Sequence, residues 1–584
     1  MDASQQKVNE PKRYSNGDPN IVSNIIISYF DNPLAFALVG LTILLVVTRA
    51  ASSRNTIPET APDHNGAKTV AAVPYWLPYL GHLPNMAWDA AGFTQRLRDQ
   101  FTQGVFALSF GATTHHIIYH PELATSLLNQ KQNVASSEEV SKRIMTAVFG
   151  FPAEEHDKYD AALPELTACY KHILSEPSLG KMVAQTAQRT KGDIKDLVTG
   201  NESPVDQMPW EKTSKVRGSR DSTGETVIEA SLLPLIRDFV AYTASPAIMG
   251  SDFLANNPTF FEDLWTLNDG FLLLATGLPR WLPIPTLTRA HIARKRLLDS
   301  LTVFHEALEK EASGETPGSK WSSLDDVGDL VKSRMPVYRK HGFSLRARAA
   351  VEHALMWAAN ANSDALIFWM INRIYADKAL LAMLREEIQP FITGVQPESS
   401  LAFAEAPRLE KFDVQGLLTS CPLLKSCYLE CLRLDTAPWS LRAINQDVVV
   451  QGRERDAQGW LLRKGGYAHA AHDLHNTDPR HFDDAMTWRA ARHVRLEGDQ
   501  KRATADTGSM RPYGGGSSMC KGRAFAFKEC MMFAAAIIAM WDIQPAGSGE
   551  WKMPRHKKAT GVYNTSDQTR VWVRQRQLSR PSTT

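Results

Sequence analysis

The stretch 513–523, Tyr-Gly-Gly-Gly-Ser-Ser-Met-Cys-Lys-Gly-Arg, constrains this chain more than any other. An aromatic residue and a run of small ones lead to a single thiol, Cys520. Ala524, Phe525, Ala526, Ala534, Ala535, Ala536, Ile537 and Ile538 then recur at helical spacing. A glycine-rich loop therefore delivers one cysteine to the start of a long apolar helix. Free backbone N–H groups and the positive end of the helix dipole favour a thiolate there. The glycines permit positive φ and the close approach of something flat and bulky. A thiolate among amide donors, with no second cysteine at metal spacing, suits one axial position on a haem iron.

This loop resembles the haem loop of the cytochrome P450 family, Phe-x-x-Gly-x-x-x-Cys-x-Gly, at Tyr513, Gly516, Cys520 and Gly522, with Tyr in place of Phe. Ser518 stands where the family often has Arg or His for a haem propionate. The resemblance implies a mostly α fold with small β-sheets and a haem b whose iron takes Cys520 as axial ligand. Glu430-Cys-Leu-Arg433 sets an acid and a base on one helix face. On a surface such a pair is worth little, but here it resembles the family's Glu-x-x-Arg. Arg492, in Trp488-Arg-Ala-Ala-Arg492-His493, would complete a structural triad. Between them lies Ala437-Pro438-Trp439-Ser440-Leu441-Arg442, in which 438–441 should line the pocket and Arg442 should pair with a propionate. The family's Trp-x-x-x-Arg is missing near 156–172, leaving Arg143, Lys171 or His172 as substitutes.

One long helix is expected over 344–375, crossing the distal face of the haem. Family members usually read Ala-Gly-x-Asp/Glu-Thr there, an acid–alcohol pair that delivers protons to dioxygen. This chain reads Ala358-Ala-Asn-Ala-Asn362-Ser363. An amide can orient a water but is a poor proton source. Asn362 and Ser363 are the catalytic candidates, and Asn followed by Ala-x-x-Phe-Trp resembles the branch holding sterol hydroxylases of bile-acid synthesis and prostacyclin synthase. The first are monooxygenases and the second rearranges an endoperoxide, so Asn362 leaves both chemistries open.

At 584 residues and 43% hydrophobic the chain can bury a large core, and a net charge of +2 gives no bulk attraction for nucleic acid. Residues 1–20 read as a polar head. An apolar tract over 21–49 reads as one transmembrane anchor; its continuous part, 33–48, is about 24 Å long as a helix and 25–30 can complete the span. A proline-punctuated hinge covers 50–85, a haem domain 86–575 and a tail 576–584. Within the domain, 199–227 reads as a solvated polar insertion, and 271–285, with Trp281, as an entrance segment that dips into lipid or else packs inside. His469, His472, His475 and His481 lie in turn-rich sequence and do not make a metal motif.

The resemblance implies a fungal-type, membrane-bound monooxygenase of the endoplasmic reticulum, single-pass with its catalytic domain cytosolic. It would act on a lipophilic sterol, terpenoid or other secondary metabolite with O2 and electrons from an NADPH-cytochrome P450 reductase, cytochrome b5 being a second donor. Arg511, Lys521, Arg523 and Lys528 would offer an acidic partner a basic face. The alternatives are a redox-independent isomerase or dehydratase of a peroxide and a non-catalytic haem or lipid binder.

Overall fold

The computed structural model describes residues 33–578 apart from 65, 222, 398–405, 455, 499–501 and 548. The polar head, the start of the expected anchor and the last residues of the tail lie outside the described residues. A solvent-facing helix, α1 (Pro33–Ser52), opens the described chain and runs on through a 3-10 turn to Thr56. With a mean hydropathy of 2.2 and none of its residues buried, it is long and apolar enough to cross a membrane.

The body is mostly helical, as expected, with small sheets at its margins. The largest sheet takes β1 (Val105–Phe110), β2 (Thr113–Ile118), β3 (Ala135–Ser136), β4 (Trp439–Ile444) and β5 (Tyr467–Ala471) in the order β1-β2-β5-β4-β3. The β1–β2 hairpin is antiparallel, while β2 and β5 run parallel, so late sequence is stitched onto early sequence. Two large apolar clusters form the core, and helix α5 (Arg523–Met540) contributes to both: Phe525 and Met532 to one, Met531 and Phe533 to the other. Residues 529–540 are buried all round, which explains why this helix shows no polar face in the sequence.

One expectation is corrected and one is refined. The helix read as continuous over 344–375 is two, α2 (Leu345–Asn360) and α3 (Ser363–Tyr375). Asn362, at φ −112° and ψ −49°, sits in the break, where its side chain competes for backbone partners as asparagine does. The stretch 199–227 is not simply solvated. It contains a helix, Pro209–Ser214, with Trp210 and Glu211 buried, and strand Arg217–Arg220, which joins Thr226–Ser231 in a sheet with the C-terminal strands. Glu211 accepts from the amides of Thr199 at 2.6 Å and Met208 at 2.8 Å. Gln207 and Ser214 are buried with Glu211, while most other polar side chains of the stretch are exposed.

Candidate functional site

The cysteine loop is pressed against the end of the helix Pro121–Leu128 and against β4. At Gly516, φ is +64° and an added Cβ would stand 2.0 Å from the carbonyl oxygen of Leu128, so only glycine fits. The Cys520 amide donates to the Tyr513 carbonyl at 3.0 Å, closing the loop, and the Tyr513 and Tyr428 hydroxyls touch beneath it. Cys520 is open to solvent on one side. Dense protein on its other side pushes the thiol above its ordinary value, against the amides of Gly522 and Arg523 that draw it down. The expected preference for thiolate is therefore not reached by loop amides and helix dipole alone. Metal coordination would supply the remainder.

Beside the thiol, two arginines converge without an acid among the described residues. Arg442, 2% exposed, donates to Ser518 Oγ and, at 2.9 Å, to the Leu441 carbonyl. Burial lowers its pKa, and among the described residues it pairs with no carboxylate. Arg511 donates to Thr125 Oγ1 at 2.6 Å, while its Nε is buried without a partner. His472 bonds Ser440 Oγ at 3.3 Å and is held neutral at about 4 by burial and by these two cations. Buried cations are ordinarily paired. This unmatched pair, next to a loop thiol, fits an iron macrocycle that carries two carboxylates. Ser518, read as unable to meet a propionate, instead orients Arg442. Arg511 turns inward and does not belong to the expected basic face; Lys521 and Arg523 are half-buried and bond the carbonyls of Ser517 and Cys520. Of the substitutes for the missing propionate ligand, Arg143 donates to the Thr276 carbonyl and His172 bonds Ser178, so neither joins the loop.

The Glu-x-x-Arg pair stands on a helix, α4 (Pro422–Leu434), where Glu430 and Arg433 are both fully buried and meet through two 2.8 Å hydrogen bonds. Arg492 joins Glu430 at 2.9 Å. Sequence reasoning missed two further donors on the same carboxylate, His493 Nε2 at 3.0 Å and the Arg489 amide at 3.0 Å. Burial opposes the charge, but the bonds from Arg433 and His493 outweigh it and hold Glu430 at about 2.

At the helix break, Asn362 Oδ1 accepts from the Val562 amide at 3.0 Å. Gly561, at φ +100°, is needed there because a Cβ would lie 2.4 Å from that oxygen. The Nδ2 group of Asn362 has no hydrogen-bond partner among the described residues and is left for a ligand. The Ser363 hydroxyl donates back to the Ala359 carbonyl at 2.9 Å. Sequence reasoning also missed a buried carboxyl pair next to Ser363: Asp364, whose Oδ2 has no partner, and Glu529 of α5. The signal was present, an acid in each of two otherwise apolar helical runs. Burial lifts both far above the carboxylate range, Glu529 to about 8, and the Glu529 charge lifts Asp364 further. In the folded state such a pair keeps protons that the unfolded chain has already lost above pH ~4.5, so its contribution to stability falls as pH rises from there towards 8. Glu529→Gln is expected to flatten that slope in urea melts taken across pH 5–8; an unchanged slope would contradict it.

The chain belongs to a class of helical oxidoreductases, the haem-thiolate monooxygenases. More particularly, it belongs to the cytochrome P450 family, whose model matches residues 248–571. It is 24% identical over 566 residues, 90% of this chain and 93% of the relative, to the cytochrome P450 monooxygenase efuG of Hormonema carpetanum. Identity is 22% over 504 residues, 86% and 92% of the two chains, to cytochrome P450 monooxygenase poxD of Penicillium oxalicum. A match of 24% over 290 residues, 48% of this chain and 63% of the relative, is to 25-hydroxycholesterol 7-alpha-hydroxylase of Rattus norvegicus. The family uses a haem-thiolate cofactor, dioxygen and a redox partner.

Proposed function

We propose that this monooxygenase is anchored by α1 in the endoplasmic reticulum membrane and oxidises a lipophilic small molecule, of the sterol or terpenoid class, with electrons from an NADPH-dependent reductase. The observation that carries this reading is that buried Arg442 and half-buried Arg511, beside the Cys520 loop, pair with no acid among the described residues. In it, Cys520 would ligate the iron of a haem b, Arg442 and Arg511 would hold its propionates, and Tyr513, Gly516 and Gly522 would shape the seat. When bound, haem supplies the dioxygen chemistry, and a thiolate ligand favours O–O cleavage. Asn362 Nδ2 orients a water or ligand at the helix break, and Ser363 relays a proton to it. The sterol class follows from likeness to the rat 7-alpha-hydroxylase, and the membrane from the exposed apolar helix. Glu430, Arg433 and Arg492 have a folding role.

Two measurements test this. Turnover of sterol and terpenoid panels is expected to require reductase and NADPH; full turnover of a peroxide substrate without either would establish the isomerase reading instead. Arg442→Gln is expected to speed haem loss to apomyoglobin roughly ten- to a hundredfold, the worth of one charge-assisted hydrogen bond. An unchanged rate would remove Arg442 from the seat.

A further inference from the structure

A cavity of about 400 Å³ lies where the end of α1 meets the body, lined in part by Arg49, Trp76, His82, Asn85, Phe93 and Gln100. That volume is within the range of small-molecule sites. Arg49 and His82 are its basic residues, and no carboxylate is among its lining residues. Arg49, in the last turn of α1, donates Nη1 to the Pro74 carbonyl at 2.5 Å and lies 5.3 Å over the Trp76 ring. It makes no ion pair among the described residues, so most of its guanidinium donors remain open. His82, 2% exposed, accepts the Ser109 amide at Nδ1, 3.1 Å away. That bond fixes its proton on Nε2, which is closed to solvent and near the Pro74 carbonyl without forming a well-directed hydrogen bond. The amides of Asn85 and Gln100 complete the wall.

Position narrows the ligand. Arg49 directly follows the apolar run of α1, the level at which a spanning helix leaves hydrocarbon for headgroups. Trp76, Tyr79 and Leu80 are 53%, 80% and 50% exposed beside the cavity, and amphipathic rings of this kind settle at the same depth. An arginine fork matches a phosphate through paired N–H bonds, and basic pockets beside transmembrane helices on the cytosolic side bind anionic lipid heads.

We propose that this cavity seats the phosphate of an anionic phospholipid, held by the Arg49 guanidinium and His82 Nε2–H. The proposal rests on the reading of α1 as a membrane anchor. The test uses the full-length holoenzyme in phosphatidylcholine nanodiscs with trace spin-labelled phosphatidylserine or spin-labelled phosphatidylcholine, comparing the motionally restricted fractions by electron paramagnetic resonance. The restricted fraction is expected to favour phosphatidylserine by about fivefold, the effect of one basic residue at an anionic surface. Arg49→Gln should bring the ratio to about one, and His82→Phe should lower it. Arg54→Gln, an exposed cation one turn beyond the cavity, should leave it unchanged. Equal fractions in the unmodified chain, or an equal loss with Arg54→Gln, would overturn the seat. Displacement of the label by inorganic phosphate alone would make the site one for a free anion and overturn the lipid assignment. Recovery of the chain in the lipid-free fraction would overturn the anchor, and the seat with it.

Discussion

Cys520→Ser is expected to abolish the thiolate absorption band of the reduced, carbon monoxide-bound protein and to bring turnover to background, while leaving the fold in place. A serine hydroxyl keeps the shape of the loop, and the backbone bond from residue 520 to the Tyr513 carbonyl, 3.0 Å, does not involve the side chain. Because Cys520 is on the open side of the loop rather than in either core, the apoprotein should unfold within about 0.5 kcal/mol of the unmodified chain. An alcohol, however, does not ionise near neutral pH and gives no soft anionic donor to iron. The effect is thus confined to the chemistry, which is what separates a ligand from a buried structural cysteine. Cys530, buried between α3 and α5, supplies the contrast: replacing it should cost stability and leave the band. If the band and turnover survive Cys520→Ser, the site has been read at the wrong sulfur.

Much of this site was legible because the loop is local. Tyr513, Gly516, Cys520 and Gly522 fall within ten residues, and their spacing alone dictates a turn, a close approach and a helix start. Arg442 could be named for the same reason, as part of a short motif. What stayed hidden depends on residues far apart in sequence. Arg511 meets Thr125 across 386 positions, and nothing in its own neighbourhood separates an inward arginine from a surface one. Asp364 and Glu529 each looked like an ordinary helix charge until α3 and α5 brought them together. The helix break is a further case: the apolar periodicity of 344–375 is real and persists across 361–362, but it reports burial and not backbone continuity. Only the partner of Asn362, the amide of Val562 some 200 positions away, identifies the break. The same physics limited the reading of 199–227, where composition measured polarity without measuring where the polar groups find their bonds.

Glu430→Ala should be the most damaging single change to folding. The carboxylate accepts from Arg433, Arg492, His493 and the Arg489 amide. Removing it leaves the fully buried Arg433 with its charge uncompensated and three further donors unmet. Breaking a buried ion pair from one side costs roughly 3–5 kcal/mol, against a typical total of about 5–15 kcal/mol. The variant is therefore expected to be recovered mostly without haem, with a urea midpoint far below that of the unmodified chain. Removing both partners together would ordinarily restore stability, but here it should restore only part. Arg433 Nη1 also donates to the carbonyls of Asn476 at 2.7 Å and Ala485 at 2.5 Å, and these would be orphaned in Glu430→Leu/Arg433→Met. The pH dependence carries the same signature. Glu430 is held at about 2 in the folded chain, so its contribution is complete above the unfolded carboxylate value of ~4.5 and is lost as pH falls towards 2. Glu430→Gln should consequently lose little further stability between pH 5 and 3, where the unmodified chain loses more. A variant that bound haem normally and unfolded at the unmodified midpoint would show that this buried network is incidental to the fold.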